Sequence, residues 1–432
     1  MKKGFYTIMA AQFFSSLADN ALLIAAIALL NEIYAPGWMT PLLKLFFVLS
    51  YVLLAAFVGA FADSRPKGRV MFLTNSVKII GCLTMLAGVH PLVAYAIVGF
   101  GAAAYSPAKY GILTELLPPE RLVAANGWIE GTTVSSIVLG TVLGGILISP
   151  FASNFILSLD LPIITNRAYG AILVIAFVYL IAALFNLGIP DTGARYTHNG
   201  YKLNILLKDF SRCVITLWRD KLGQISLAVT TLLWGAGAAL QFIVLKWAED
   251  SLGLNLSQGA ILQAIFAIGL ALGAIIAANT IPLKRSLSVL PAGIVMALIM
   301  ALMAGLQRHS FPESWVLNIG DFSISYVLIT AHLFLIIVGL IAGFFIVPMN
   351  ALLQHRGYTL LSAGHSIAVQ NFNENLSILG MLCLYAVFIR LDIPITIVIL
   401  LFSAFVCLIM ILIMARHKYN QRHTKHIENH ID

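Results

Sequence analysis

Charged side chains are scarce in this chain of 432 residues: Asp, Glu, Lys and Arg together make up 10% of it, whereas 60% is hydrophobic. The mean hydropathy of +0.94 lies far outside the range of soluble globular proteins. The long apolar runs lack the alternating period of barrel strands, and they approach or exceed the roughly 18 residues that a helix needs to cross the hydrocarbon. The composition therefore excludes a soluble domain and predicts a helical membrane protein.

Cysteine is also rare, and the four cysteines have no metal-like C-x-x-C spacing. We therefore predict no disulfide framework, no metal site and no cofactor. The sequence contains no Gly-Lys dipeptide, so it has no Walker A loop and cannot be an ATP-driven pump. It also lacks an H-E-x-x-H motif and any His followed five positions later by Asp, which argues against an enzyme.

Apolar runs of sufficient length predict an all-α membrane protein with twelve transmembrane helices in two pseudo-symmetric six-helix bundles. The predicted bundles cover residues 1–190 and 223–415, joined by a cytoplasmic amphipathic linker at 191–222 and followed by a basic tail at 416–432. The twelve spans are predicted near residues 8–30, 42–62, 70–88, 92–115, 126–148, 168–189, 223–247, 258–280, 287–306, 324–347, 363–389 and 394–415.

The distribution of positive charge predicts the orientation. With both termini cytoplasmic, the cytoplasmic segments hold 19 of the 26 Lys and Arg residues and the outer segments, which include Lys44, hold four. The net charge of +8 is thus interpreted as a positive-inside bias and as contact with anionic inner-leaflet lipid, not as a nucleic-acid footprint.

Two proline-containing spans in equivalent positions indicate an internal repeat. Small residues precede Pro107 in span four, and Ala342 and Gly343 precede Pro348 in span ten. Proline removes a helix hydrogen bond, so both helices are predicted to break there, and Lys109 places a cation where hydrocarbon is expected. Broken helices in matching positions are typical of secondary transporters, whose substrate site lies between the halves near mid-membrane.

Polar residues recur at helical spacing in spans one, five and eleven. Because a carboxylate without a partner in lipid is costly, these stripes predict a polar-lined interior. The stripes comprise Gln12, Ser15, Ser16, Asp19 and Asn20; Asn126, Glu130 and Thr133; and Ser366, Gln370, Asn371, Asn373, Glu374, Asn375 and Ser377.

The charged residues within spans allow structural and functional interpretations. Asp19 and Lys109 are predicted to pair, either only to fasten spans one and four or also as a gate or ligand contact, and the retention of two charges favours the second. Glu374 either is satisfied by neighbouring Asn residues or contacts a ligand, and the density of polar side chains favours the ligand contact.

The other charged or titratable residues within spans are given structural interpretations. Lys78 is predicted to snorkel to the inner face. Lys246 is expected to anchor at the interface and His332 to be satisfied locally rather than to relay protons.

The hairpin after span two resembles the G-x-x-x-D-(R/K)-x-G-(R/K) signature of the major facilitator superfamily. In that family the Asp and the basic residues pair at the inner end of the half-bundle and help to latch one state of a rocking cycle. The resemblance assigns Gly59, Asp63, Arg65 and Arg69 to the latch. The second copy expected after span eight is reduced to 278–280 with Lys284 and Arg285, which is a departure from the pattern.

More narrowly, the chain resembles the bacterial lysophospholipid transporters of that superfamily. The similar segments follow one another through nearly the whole chain, at 19–23, 101–113, 125–127, 234–237, 347–354, 368–371 and 374–375. One departure is Gln241, near which the family pattern has an arginine.

The resemblance implies facilitated flipping of lysophospholipids, chiefly lysophosphatidylethanolamine, from the outer to the inner leaflet of a bacterial inner membrane. A separate acyltransferase/acyl-carrier-protein synthetase would re-acylate them there. A phosphoethanolamine head group carries an ammonium that suits Asp19 or Glu374 and a phosphate that suits Lys109. We expect substrate contacts or gating from Asp19, Asn20, Tyr105, Lys109, Glu130, Gln241, Gln370, Asn371 and Glu374.

Two alternatives remain open. A proton-coupled major facilitator exporter of amphipathic drugs or metabolites would use Asp19 or Glu374 as its protonated carboxylate, and dependence on a pH gradient would identify it. A lipid sensor that does not transport is distinguished only by a flux assay.

Overall fold

Nearly all of the regular structure is helical. The computed structural model describes residues 3–36, 39–158, 162, 164–194, 203–254, 256–312, 315–319 and 322–422. These residues contain the helices α1 Lys3–Glu32, α2 Met39–Leu53, α3 Ala55–Ser64, α4 Lys67–Leu86, α5 Pro91–Leu116, α6 Leu122–Ile148, α7 Pro150–Leu157, α8 Arg167–Leu187, α9 Leu203–Arg219, α10 Gly223–Asp250, α11 Leu256–Thr280, α12 Leu290–Met303, α13 Tyr326–Leu360, α14 Ala363–Arg390 and α15 Ile395–Arg422.

Four short elements complete the regular structure of the described residues. Two 3₁₀ turns, Pro119–Arg121 and Leu283–Val289, lead into α6 and α12. The strands β1 Val316–Ile319 and β2 Phe322–Ser325 form an antiparallel pair in which Val316 lies opposite Ser325.

The predicted membrane spans are confirmed. Eleven helices of the described residues are long and apolar enough to cross a membrane, and α2 with α3 forms a twelfth span that is bent by 64° at Leu54. The tenth span is longer than predicted, because α13 continues to Leu360. The linker contains the predicted amphipathic helix, α9, whereas 195–202 and the end of the basic tail at 423–432 lie outside the described residues.

The predicted helix breaks at Pro107 and Pro348 are wrong. α5 runs through Pro107 and α13 runs through Pro348 without interruption. Each proline removes only its own N–H from the ladder. In apolar surroundings every other backbone group must still be paired within the helix, so the remaining hydrogen bonds keep it continuous.

The described chain forms two compact units. The first unit comprises 1–118, 132–217 and 354–375, and the second comprises 119–131, 218–353 and 376–432. The core of the first unit is built from small and aliphatic side chains of α1, α4, α5 and α8, such as Ala18, Leu22, Val98 and Ile175, all fully buried. These helices can approach closely because so many of the contacting residues are small.

In the second unit, α11 and α13 cross through two G-x-x-x-G motifs. A Cβ on Gly269 or Gly273 would overlap the backbone of α13, and one on Gly339 or Gly343 would overlap the backbone of α11. Only glycine permits such an approach, which is a common way to pack helices in lipid.

Candidate functional site

A polar cavity of about 270 Å³ lies within the first unit. It is lined by six residues of α1 and by residues of α2, α4, α5 and α6. All five residues of the polar stripe predicted in span one line the cavity, and so do Tyr105 and Lys109. The complete lining is Gln12, Ser15, Ser16, Asp19, Asn20, Leu23, Lys44, Phe47, Tyr51, Lys78, Tyr95, Ala102, Tyr105, Ser106, Lys109, Thr133 and Ile137.

The cation that pairs with Asp19 is Lys78, which corrects the predicted pairing with Lys109. Lys78 Nζ lies 2.8 Å from Asp19 Oδ1 and 2.9 Å from Oδ2, and it donates to the Ser15 hydroxyl at 3.0 Å. The prediction that Lys78 snorkels is therefore wrong, since its side chain is 1% exposed. A buried ammonium is tolerated only with such partners.

Aromatic groups complete the surroundings of this ion pair. The Tyr179 hydroxyl donates to Asp19 Oδ1 at 2.6 Å. Lys78 Nζ lies 5.0 Å from the centre of the Tyr105 ring and 5.4 Å from that of Tyr179, within the range of cation–π attraction. Asp19 keeps 20% of its side chain exposed on the cavity side of the pair. Its carboxylate can therefore meet a ligand without losing Lys78.

Positive charge predominates among the described residues that line the cavity. Three lysines, Lys44, Lys78 and Lys109, face one carboxylate, Asp19. Lys109 Nζ lies 4.2 Å from the centre of the Tyr110 ring. With three lysines and one carboxylate, the lining carries a net positive charge, which suits an anionic group such as a phosphate.

The polar stripe of α14 joins the cavity wall through Ser106. Asn371 Nδ2 donates to Ser106 Oγ at 2.9 Å, and Gln370 Nε2 donates to Glu374 Oε1 at 2.8 Å, all among buried side chains. These two hydrogen bonds give the buried amide N–H groups of Gln370 and Asn371 partners, which groups removed from water require. Gln370, Asn371 and Glu374 thus lie behind the cavity lining and not in it.

A second charged cluster surrounds Asp63 at the end of α3. Its carboxylate accepts the backbone N–H groups of Gly364 at 2.8 Å and of His365 at 3.2 Å, in the first turn of α14. It also accepts the Ser362 hydroxyl and lies 2.9 Å from His365 Nδ1. The N–H groups at a helix N-terminus favour a carboxylate in this position.

Gly59 makes this contact possible. A Cβ at Gly59 would lie 3.0 Å from the Cβ of Ala368 and 3.1 Å from the Cα of His365. Gly111 of α5 permits a similar close approach, since a Cβ added at Gly111 would lie 3.1 Å from the Cβ of Ala363. The N-terminus of α14 therefore packs directly on the backbones of α3 and α5.

The cation that pairs with Asp63 in this structure is Lys67, whereas the latch roles that the resemblance assigns to Arg65 and Arg69 remain predictions. Lys67 Nζ lies 2.6 Å from Asp63 Oδ1 and 3.4 Å from Glu115 Oε1, and it is buried. Arg65 and Arg69 are exposed. Lys67 begins α4, four residues after Asp63, so its side chain reaches back across the turn.

The linker helix α9 lies close to the Asp63 cluster. Phe210 packs edge-on against Phe372 of α14, with ring centres 5.4 Å apart. Burial and, to a smaller extent, the nearby carboxylates Asp209 and Asp63 together raise the pKa of the Cys213 thiol to about 11. The field of Asp63 thus reaches the middle of α9.

The remaining predicted residues of interest lie in the second unit. Glu130 is buried and accepts from Asn350 Nδ2 at 3.5 Å. The Gln241 carbonyl accepts from Gln263 Nε2 at 2.7 Å. Lys246 forms a half-exposed pair with Asp250 at 2.8 Å, and His332 Nδ1 lies 2.6 Å from the carbonyl of Leu328, one turn earlier.

Sequence reasoning missed Lys44, Lys67 and Lys78 as functional or structural centres. Lys44 was assigned to an outer segment, yet α2 carries it to the cavity. Lys78 lies on the same helix face as Thr74 and Asn75, and this polar run in α4, which forms the third span, is the signal that its side chain points inward. Asp19, the partner of Lys78, and Glu115, a second partner of Lys67, come from helices distant in sequence, so spacing alone does not identify them.

Comparisons with known proteins agree with this architecture. Residues 8–379 match the family model described as Major Facilitator Superfamily. The protein "Lysophospholipid transporter LplT" of Yersinia enterocolitica is 40% identical over 396 residues, which cover 91% of this chain and 89% of the relative. The protein of the same name from Photorhabdus laumondii is also 40% identical, covering 91% of each chain.

Solved structures show the same fold at much lower identity. The transporter FucP in the outward conformation gives a TM-score of 0.68 at 14% identity, covering 95% of this chain and 98% of that one. The human organic anion transporter MFSD10 gives a TM-score of 0.69 at 13% identity, covering 96% of this chain and all of that one. The chain therefore belongs to the major facilitator superfamily and, within it, to the family of its lysophospholipid-transporter relatives.

Proposed function

We propose that this protein moves lysophospholipids, chiefly lysophosphatidylethanolamine, from the outer to the inner leaflet of a bacterial inner membrane, by alternating access and without ATP. The relatives that share 40% of its sequence are named for this substrate class. In this proposal, six-helix bundles at 1–190 and 223–415, joined by the linker at 191–222, rock against each other, and both termini are cytoplasmic. A separate acyltransferase/acyl-carrier-protein synthetase re-acylates the product.

The cavity lining is the observation that carries the proposal. The partly exposed carboxylate of Asp19 suits the ammonium of an ethanolamine head group, and Lys44 and Lys109 suit its phosphate. Apolar side chains, Leu23, Phe47 and Ile137, line the same cavity and suit the start of an acyl chain. A ligand with two opposite charges and one apolar tail matches this combination.

The test is entry of labelled lysophosphatidylethanolamine into the inner leaflet of proteoliposomes that hold no ion gradient and no ATP. We expect flux above that of empty vesicles, and we expect Asp19→Asn and Lys109→Ala to lose most of it. Lys418→Ala is the control, because it removes an exposed lysine near the end of α15 that is absent from the cavity lining. Folding of each variant is checked by size-exclusion chromatography.

Each other outcome contradicts a defined part of the proposal. Normal flux in both cavity variants would remove the cavity from the transport path. Flux that requires a proton gradient would replace passive flipping by proton coupling, and no flux under either condition would remove the substrate class.

Asp63 is proposed to latch the cytoplasmic ends of α3 and α14 between transport steps. It accepts two backbone N–H groups of α14 and pairs with Lys67. Hydrogen bonds to a charged group contribute about 1.5–3 kcal/mol each. Losing one such bond would shift a conformational equilibrium roughly tenfold or more.

The latch is tested by comparing flux in Asp63→Asn and Asp250→Asn. We expect at least a roughly tenfold loss in the first variant, following from the free energy above. Asp250 pairs with Lys246 on a partly exposed surface, so its variant should transport normally. Equal flux in the two variants would contradict the latch.

A further inference from the structure

The linker helix α9 carries two different apolar faces. One face is buried: Leu206, Phe210 and Leu217 recur at spacings of four and seven, and each is at most 9% exposed. The other is open: Leu207, Ile215 and Trp218 are 49%, 46% and 39% exposed. A helix that needed only to pack on its own protein would require the first face alone.

The exposed face of α9 is bordered by positive charge. Lys208, Arg212 and Arg219 are exposed and recur at spacings of four and seven, so they form one row along the helix beside the exposed apolar residues. The acidic residue Asp209 lies beyond this row, 3.3 Å from Arg212. An apolar strip with a cationic border is the pattern of a helix that lies in a bilayer interface.

The position of α9 agrees with that pattern. Phe210 contacts Phe372 in α14, and the charge of Asp63 reaches Cys213. Asp63 is the last residue of the second span, so α9 lies at the level where the spans leave the hydrocarbon. α9 itself is not among the candidate spans, and its 17 residues extend about 25 Å, a length suited to lying along the surface.

We propose that the exposed face of α9, formed by Leu207, Lys208, Arg212, Ile215, Trp218 and Arg219, binds anionic phospholipid head groups at the membrane surface. The apolar side chains enter the boundary between head groups and acyl chains, and the three cations contact lipid phosphates. Cations near an anionic leaflet are attracted individually, so a row of three gives a clear preference over zwitterionic lipid. This binding is independent of the lipid that the cavity carries.

The test measures binding of labelled phosphatidylglycerol to the purified full chain in neutral-detergent micelles that contain excess phosphatidylcholine. The triple variant Lys208→Ala/Arg212→Ala/Arg219→Ala should bind roughly tenfold more weakly or worse, since each cation contributes separately. The matched control, Lys284→Ala/Arg285→Ala/Lys418→Ala, removes three exposed cations elsewhere and should bind normally. The variant Lys208→Arg/Arg212→Lys/Arg219→Lys keeps every charge and should also bind normally.

Further measurements distinguish lipid binding at the exposed face of α9 from binding in the cavity and from binding of a free anion. Lys109→Ala should keep its phosphatidylglycerol binding, and the α9 triple variant should keep its lysolipid flux. Inorganic phosphate should not release the lipid, because it has no acyl chain to hold in the apolar strip. Equal loss in the triple variant and its control, no loss in either, or release by phosphate would overturn the proposal.

Discussion

At the scale of single residues, the ion pair of Lys78 and Asp19 is the most consequential feature of the cavity. Lys78 is 1% exposed and has Asp19, Ser15 and two aromatic rings as its surroundings. Lys78 pairs with Asp19, whereas Lys109 lines the same cavity without pairing with Asp19. We therefore expect the two lysines to differ in role, Lys78 in stability and Lys109 in the proposed ligand binding.

We predict that Lys78→Met destabilises the protein by about 2–3 kcal/mol, because it leaves the Asp19 carboxylate without its cation. This loss of stability is smaller than that expected for breaking a fully buried ion pair, because the Asp19 side chain is 20% exposed. Adding Asp19→Asn to Lys78→Met should recover part of the loss. Denaturation of the purified protein followed by fluorescence measures both changes.

The matched control for this prediction is Lys246→Met. Lys246 pairs with Asp250 at the same 2.8 Å distance, but both side chains are more than one-third exposed. Such pairs contribute about 0–1 kcal/mol. Similar destabilisation in Lys78→Met and Lys246→Met would contradict the role assigned to burial.

The polar stripe of α1 could be predicted from sequence, because the spacing of Gln12, Ser15 and Asp19 alone places them on one helix face. Their common cavity bears this out. The partner of Asp19 could not be predicted in this way. It depends on how α4 and α5 pack beside α1: the sequence pattern predicted Lys109 of α5, whereas Lys78 of α4 pairs with Asp19 in the structure.

At the scale of elements, the crossing of α11 and α13 sets the packing of the second unit. Glycines of each helix contact the backbone of the other, through Gly269 and Gly273 on one side and Gly339 and Gly343 on the other. Without side chains at these points the helices approach closely along two turns. Dispersion and backbone contacts, rather than the exclusion of water, stabilise such a pair in lipid.

We predict that Gly273→Val destabilises the protein by about 1–3 kcal/mol, the cost of overpacking a close contact. A Cβ at this position would overlap the Leu340 carbonyl oxygen, so α11 and α13 must move apart. Thermal unfolding in detergent measures the change. Gly380→Val is the control, because the space around Gly380 is open; an equal effect at both positions would contradict the proposed packing.

The elements themselves were well predicted, since hydropathy is a local property of each run. The predicted breaks at Pro107 and Pro348 are wrong. One missing hydrogen bond costs less free energy than opening the helix would, because the other backbone groups would then be unpaired in lipid. The bend at Leu54 was not predicted. Leu54 is neither proline nor glycine, so the sequence gives no local signal, and the bend depends on how α2 and α3 pack.

At the scale of the whole molecule, ligand binding in the cavity should raise the stability of the folded protein. A ligand that binds only the folded state stabilises it by about 2.7 kcal/mol at one hundred times its dissociation constant. We predict such a stabilisation of the full chain by lysophosphatidylethanolamine and its loss in Lys109→Ala. Thermal unfolding with increasing lysolipid measures it.

Two comparisons make this prediction specific. Lys418→Ala should be stabilised as the unchanged protein is, since Lys418 is exposed and absent from the cavity lining. A detergent with the same acyl chain but no charged head group should give a smaller shift. Equal shifts with both amphiphiles would mean that the tail alone binds.

The bend in the second span has a mechanical consequence. Its first part, α2, carries the cavity residues Lys44, Phe47 and Tyr51, and its second part, α3, carries Gly59 and Asp63. A straight helix would carry any tilt at one end rigidly to the other. Because the span bends by 64° at Leu54, we expect α2 to adjust to head groups of different size without displacing the contact at Asp63.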